Sequence, residues 1–387
     1  MATENNNKNL NVPNLRFPEF SGEWTKTTLG KIGETFNGLT GKSGSDFGQG
    51  SPYITYKSIF DNSKIDLSRV EYVTITDAER KKQTQNEVQY GDIFFTTSSE
   101  TPDEVGMTSV LLDEVKDCYL NSFCFGYRLN SITDVLPEYM RFYLRSNTIR
   151  RRLFVLAQGS TRFNISKGEV MGLTIKLPGT AEQRKIAQLL TMIEDRIATQ
   201  IKIIEKLESL IKGLCQKLTQ QDNPNTALNE TLVCYSSTLQ ESSVQEVGDY
   251  PVYGATGVCG YTDAPEVDGD SILIIKDGAS VGVTYYASGK YSAIGTLNRL
   301  VAKRGYSLRY LYYCLKVFNF APYRTGLAIP HIYFRDYGKA KVWCPSLDEQ
   351  QRIADALSKV EQKIAIEKSL LEKLYSQKRF LLQAMFI

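Results

Sequence analysis

The chain has 387 residues, 42% of them hydrophobic and 23% charged, with a formal net charge of +3. That length suits two or three domains of about 100–200 residues each, and the composition excludes a disordered or fibrous chain. No run of eighteen apolar residues occurs and the opening stretch, MATENNNKNLNVPN, is polar, so no membrane contact and no secretory leader are expected, and the expected location is cytoplasmic.

The seven cysteines, Cys118, Cys124, Cys215, Cys234, Cys259, Cys314 and Cys344, are scattered and never spaced as CxxC, which argues against a disulfide framework and a zinc site. His331 is the only histidine. Two-histidine metal sites are excluded, and a histidine-dependent triad has one candidate at most. No metal is expected on the chain.

In chain order, residues 1–178 are rich in Gly, Ser, Thr and Tyr, with short runs such as SPYITY at 51–56 and GDIFFTT at 91–97 that predict strands and turns. A helical stretch is predicted over 136–154. Gly38, Leu39, Thr40, Gly41, Lys42 and Ser43 resemble a phosphate loop, but two residues separate the glycines where four are needed to wrap phosphates. After Pro178 the pattern becomes helical, with Ile186, Leu190, Ile193, Ile197, Ile201, Ile204, Leu207, Ile211, Leu214 and Leu218 three or four residues apart. Residues 220–225, QQDNPN, cannot continue that helix past Pro224 and predict a linker. Strands are then predicted at YPVYG (250–254) and SILIIKDG (271–278), and a helix over 308–318. After Pro345 a second long helical pattern follows, through Ile353, Leu357, Val360, Ile364, Leu371, Leu374 and Leu381.

The two halves repeat. Residues 178–187 read PGTAEQRKIA and 345–354 read PSLDEQQRIA, and at the same offset of 167 Leu190 meets Leu357, Ile197 meets Ile364, Gly159 meets Gly326 and Ile165 meets Ile332. Thr180 with Gln183, and Ser346 with Glu349, fit capping boxes at the helix starts. Each helix could run for about 38 residues, roughly 57 Å, with a heptad-like seam suited to a two-stranded coiled coil.

Charge is distributed in the same repeating way. Residues 139–168 carry Arg141, Arg145, Arg150, Arg151, Arg152, Arg162 and Lys167 with no acid, and residues 278–335 carry Lys290, Arg299, Lys303, Arg304, Arg309, Lys316, Arg324 and Arg335 with no acid. Aromatic residues are interleaved with them. A basic run can merely solvate one helix face, but two in matching places favour two positive surfaces, the footprint of a nucleic-acid binder.

The two proline-led motifs, EQRKIA and EQQRIA, each opening a heptad-patterned helix, together with LRFPEFSGEW, YGDIFFT, DGDSILI and YPVYGATG, resemble the specificity subunit of type I restriction-modification enzymes from Leu15 onward. The resemblance implies an α+β fold in which two mixed α/β target-recognition globules in tandem repeat are separated by two long antiparallel coiled-coil helices with pseudo-twofold symmetry. The implied segments are target-recognition domain 1 (1–178), a central conserved helix (179–221), target-recognition domain 2 (222–344) and a C-terminal conserved helix (345–387). The implied function is non-catalytic: each recognition domain reads one half of a bipartite site on double-stranded DNA. The helices would set the spacer and dock two modification (methyltransferase) subunits, with ATP-dependent restriction subunits joining them. S-adenosylmethionine, ATP and Mg would belong to those partners, and no cofactor to this chain. The competing expectations are a coiled-coil scaffold joining two ligand-binding globules, which the basic stretches disfavour, and a self-contained enzyme, for which no catalytic module remains.

Phosphate contacts supply affinity and base-edge contacts supply sequence. The loops 159–164 and 324–327, each with a glycine, an arginine and small polar residues, offer Arg162, Asn164, Arg324 and Thr325, with His331 nearby. Base-edge candidates are Lys57 and Ser58 after SPYITY, Thr97, Ser98 and Ser99 after GDIFF, Thr256 after YPVYGA, and Lys276, Asp277 and Ser280 after SILII, all expected in loops following strands. Candidate subunit-interface residues on the helices are Ile186, Leu190, Ile193, Ile197, Ile353, Leu357, Val360 and Ile364. The loops differ between halves, so the two globules are expected to read different sequences.

Overall fold

A computed structural model of the chain describes residues 11–83, 86–326 and 328–387. The first ten residues and Leu327 of the second expected loop lie outside them. The chain divides into two compact units, one running through Ala198 and completed by Glu372–Ile387, the other spanning Thr199–Leu371. The boundaries fall within the long helices, so each unit contains a part of both, where the sequence suggested helices separate from the globules.

The first unit is built on an antiparallel sheet in the order Gly33–Asn37, Cys124–Leu129, Ile93–Thr96, Thr108–Val110. Ile93–Thr96 is buried along its whole length, and Phe95 stacks on Phe125 at 5.0 Å, a packing that suits aromatic residues on a pleated surface. A second sheet pairs Phe47–Ile54 with Glu71–Val73 and, in parallel, with Tyr119–Leu120. A ribbon of Thr25–Thr28 against Thr174–Leu177 closes the unit where the chain approaches Pro178.

The second unit repeats the topology of both sheets and of the closing ribbon. Its antiparallel sheet runs Leu232–Ser236, Leu297–Ala302, Ser271–Ile275, Thr284–Ala287. Tyr250–Gly254 pairs with Gly257–Thr262 and, in parallel, with Lys290–Ala293, with Val267–Asp268 added at the edge. The closing ribbon is Thr226–Ala227 against Lys341–Val342. The sequence repeat is therefore a repeat of a whole fold. The predicted helix over 136–154 is two helices, Pro137–Tyr143 and Asn147–Leu156, while that over 308–318 is Leu308–Lys316.

The long helices are Thr180–Thr219 and Leu347–Ala384, 40 and 38 residues. Their heptad residues point inward. In the first unit Ile186, Leu190, Ile193 and Ile197 are buried; in the second, Ile353 and Leu357 join a core that Val360 and Ile364 flank. Six of these eight residues are buried in packing within the chain, while Val360 and Ile364 are only partly covered. Within the second unit Gln200 reaches Glu367, its counterpart at the repeat offset, and Glu208 pairs with Lys368 at 2.6 Å. Within the first unit Lys378 pairs with Glu194 at 2.6 Å, and Phe386 packs on Tyr139 and Tyr143.

The shared helix-start motif has a physical function. Gln183 accepts the backbone N–H of Leu136 through its side-chain oxygen at 2.9 Å and donates to Pro178 O at 2.9 Å. Gln350 accepts the N–H of Ser307 at 2.9 Å and donates to Pro345 O at 2.9 Å. Both glutamines are buried, and both satisfy the first free amides of the short helix beneath them while pinning the start of the long one. The expected Thr180–Gln183 capping box does not form. Thr180 already lies inside the helix, Gly179 O accepts the amides of Glu182 and Gln183, and the Thr180 hydroxyl donates to Asp134 O instead. Ser346 does cap, accepting the Glu349 N–H at 3.4 Å, but Glu349 itself pairs with Arg352 and leaves the box half made. Replacing either glutamine, Gln183→Leu or Gln350→Leu, strands a buried amide and should cost about 1–3 kcal/mol, measured as a lowered denaturation midpoint.

Candidate nucleic-acid interface

In the first unit Ser98–Ser99 pairs with Phe163–Asn164, Ser98 facing Asn164, and Gln158 bridges to Asn164 from the other side. In the second unit Asp277 faces His331 and Thr325 bridges to His331. Asn164 and His331 are 167 residues apart, as are Gly159 and Gly326. Each unit thus carries the same three-segment platform ending in a glycine-led hairpin tip. Gly159 (φ +137) and Gly326 (φ +88) both have positive φ, and an added Cβ would lie 2.1 Å from Arg162 O or 2.3 Å from Ile329 O. No side chain fits at either place.

The platform gathers most of the sequence candidates. Lys276, Asp277, Thr325 and His331 meet directly: the amide of Ile332 donates to Lys276 O at 2.9 Å, Thr325 and His331 exchange backbone bonds, and His331 Nδ1 lies 2.7 Å from Asp277 Oδ1. Arg324 donates to Val281 O at 3.1 Å, placing it beside the turn that carries the exposed Ser280. In the first unit Thr97, Ser98, Ser99 and Asn164 meet, with the exposed Arg162 at the tip. Lys57 and Ser58 join them through their helix, because Tyr56 donates to Ser98 O at 2.6 Å. Thr256 stands apart, exposed at the turn between Tyr250–Gly254 and Gly257–Thr262.

Several candidates do not occupy the loops expected of them. Lys57 and Ser58 lie in the first turn of a helix, Tyr56–Asp61, capped by Thr55. Ser98 and Ser99 form a strand and are buried, and Ser99 donates to Glu104 at 3.1 Å. The Thr97 hydroxyl donates to Phe123 O at 2.7 Å. What these residues offer outward is limited by what they already hold.

The first acid-free run is largely structural. The guanidinium of Arg145 donates to the carbonyls of Thr108, Ile59, Phe60 and Asn62 at 2.6–3.0 Å, and burial, aided by neighbouring Arg150, pushes its pKa down to about 10. Arg150 donates to the carbonyls of Gly106, Asp103 and Val105, and Arg152 to that of Thr174. Arg141 is lowered by burial against the opposing pull of Glu194, with which it pairs. Five donors in a planar fork make arginine an effective clasp for several carbonyls. Arg151 and Arg162 remain exposed. In the second run, Arg309 lies 3.4 Å over Tyr286, Arg299 4.3 Å over Tyr235 and Lys290 5.7 Å over Tyr250, cation–π contacts that leave cationic groups at the surface.

Two units of one topology, each holding part of both long helices and each carrying a matched platform, define a tandem-repeat protein. The pattern of the type I restriction modification DNA specificity domain matches residues 21–209 and 235–376, and the chain belongs to that family. It is similar to a putative type I restriction enzyme MjaX specificity subunit of Methanocaldococcus jannaschii, 28% identical over 214 residues, 54% of this chain and 49% of that protein. The match thus spans about half that relative's length. In fold it is similar to the type I restriction-modification S subunit from M. genitalium, with a TM-score of 0.63 at 18% identity over 97% of this chain and 99% of that one. It is also similar to a chain from a structure describing complex assembly and conformational transition of the type I R-M system, with a TM-score of 0.56 at 18% identity over 93% and 96% of the two chains.

The buried arginines and the exposed ones should respond differently to removal. Arg145→Ala leaves several carbonyls without a donor and should destabilise the first unit by about 2–3 kcal/mol, while the salt dependence of any polyanion binding, followed by titration at several ionic strengths, stays unchanged.

Proposed function

We propose that this chain is the DNA-recognition subunit of a type I restriction-modification complex, in which each unit reads one half of a bipartite duplex site. One observation carries the reading: two units of the same topology differ at matched platform positions, Ser98 and Asn164 in one against Asp277 and His331 in the other. Identical backbones with different side chains can serve two different half-sites. Membership of the specificity family supports the same assignment.

The chain itself reads DNA and performs no chemistry. Two methyltransferase subunits, carrying S-adenosylmethionine, and restriction subunits using ATP and Mg act on the site it selects. Because most of the heptad seam is covered, each unit offers its own outward apolar residues to a methyltransferase subunit, Met192 and Phe380 in the first and Ile203, Leu210, Ile366 and Leu370 in the second, all exposed. Patches of that kind on a helix mark interfaces.

Co-expression with a methyltransferase subunit, followed by mapping of methylated adenines in the host genome, should return a two-part motif with a fixed unspecified gap. Exchanging residues 225–344 for those of a relative should change one half only. An intact complex that methylates nothing would point to a scaffold without DNA specificity. At the tips, Arg162→Ala and Arg324→Ala should each weaken DNA binding and reduce the slope of log affinity against log salt by about one; an unchanged slope removes that arginine from the phosphate contacts.

A further inference from the structure

We propose that Asn164 and His331, at one matched position in the two units, each present a hydrogen-bond acceptor that reads the exocyclic amino group of an adenine or cytosine in the major groove. The proposal rests on the DNA-recognition reading above and names the base chemistry each unit selects.

His331 has its donor nitrogen engaged within the protein, and Asn164 has one of its two amide N–H groups engaged. Asn164 Nδ2 donates to Arg162 O at 3.3 Å. His331 Nδ1 lies 2.7 Å from Asp277 Oδ1, and since a carboxylate only accepts, Nδ1 carries the proton. In neutral imidazole one nitrogen donates and the other accepts, so the bond to Asp277 makes Nε2 the acceptor. Among the described residues neither Asn164 Oδ1 nor His331 Nε2 has a hydrogen-bond partner in the protein. Both are accessible: Asn164 is exposed, and the His331 side chain keeps 35% of its surface.

Backbone geometry holds both in place. Asn164 exchanges both backbone bonds with Gln158 while its neighbour Ile165 donates to Thr97 O, and His331 exchanges both with Thr325 while its neighbour Ile332 donates to Lys276 O and Pro330 O accepts from Gly278. Gly326 keeps the imidazole's other edge close, for an added Cβ would stand 3.1 Å from His331 Cδ2. Asp277 is a positioning residue, fixing tautomer and ring orientation, as an outer carboxylate does for ligating histidines. Lys276 Nζ, 4.0 Å from the second carboxylate oxygen, is the nearest cation.

Chemistry then limits the partner. In the major groove guanine offers N7 and O6 and thymine offers O4, all acceptors, whereas adenine N6 and cytosine N4 are donors. The His331 acceptor pairs with the second group and repels the first, while Asn164, with Oδ1 and one N–H open, matches the N6 and N7 edge of adenine. Sequence reasoning placed both residues near DNA without this information, because their neighbours' donor occupancy is a property of the fold.

The test uses the complex with its methyltransferase subunit and duplexes bearing the mapped site. At each recognised position, adenine is replaced by purine or cytosine by pyrimidin-2-one, which removes only the amino group, and affinity is measured by titration. The unaltered complex should lose about tenfold or more at one position in each half-site. Asn164→Ala should abolish that sensitivity in the first half only, and His331→Ala in the second half only, so the untouched half reports that the protein is folded. Asp277→Asn should reduce the loss at the His331 position and at no other. His331→Asn, the residue found at the matched place, should keep the sensitivity. Variants that retain full amine sensitivity everywhere, or lose it evenly at all positions, would overturn the assignment while leaving DNA recognition standing. A complex that binds no specific site overturns both.

Discussion

A single buried amide decides how each long helix leaves its globule. Gln183 and Gln350 each join three chain segments with two hydrogen bonds of 2.9 Å, and both sit where water cannot replace a lost partner. The cost of leaving such a group unmade exceeds the gain from making it, which gives the junction its specificity. That junction ties the start of each long helix to the closing ribbon that ends just before Pro178 or Pro345 and to the short helix of the same unit. Glu194 and Glu361 extend it one helical stretch further. Glu194 takes Arg141 and Lys378; Glu361 takes Lys316 and the hydroxyls of Tyr312 and Tyr313. The partners differ between units while the anchoring carboxylate keeps its place.

The platforms show a division of labour between backbone and side chain. Strand bridges and the two positive-φ glycines fix the path of the tip, and these requirements are met by Gly159 and Gly326 alike. Side chains at the facing positions are not bound by that requirement and differ, Ser and Asn in one unit against Asp and His in the other. A recognition surface that changes specificity without refolding needs this arrangement, since phosphate contacts and shape fix register while a few side chains carry sequence.

Much of this was legible before any fold was known, and the parts that were not share a cause. The repeat at offset 167 survived in the helix starts, the hairpin glycines and Ile165 with Ile332 because those positions meet strict backbone or packing demands. The length of both helices followed from apolar spacing. What the seam packs against did not, since period alone cannot distinguish a face turned to its own globule from one awaiting a partner. Thr180 resembled a cap because Gly179, which contributes only a carbonyl, has no side chain to announce it. Ser98 and Ser99 looked like loop residues because serine is common in turns, yet the strand they form is buried between Tyr56 and Glu104.

The arginine run teaches the sharpest distinction. Absence of acid within 139–168 was a sound electrostatic signal, but a guanidinium can be neutralised by dipoles as well as by charges. Arg145 and Arg150 together collect seven backbone carbonyl contacts, which sum partial negative charge around each cation without any carboxylate nearby in sequence. In the second unit the corresponding support comes from aromatic rings, as Arg309 over Tyr286 shows, and a ring leaves the cation's other face open to solvent. Similar composition therefore places carbonyl clasps in the first unit where the second uses aromatic rings beside its own clasps, Lys303 to Asn229 O and Arg324 to Val281 O. Net charge per segment cannot separate them, whereas the number of carbonyls within a guanidinium's reach can, and that number is fixed only when the end of the helix Tyr56–Asp61 and the segment 103–108 pack against the helices that carry the arginines.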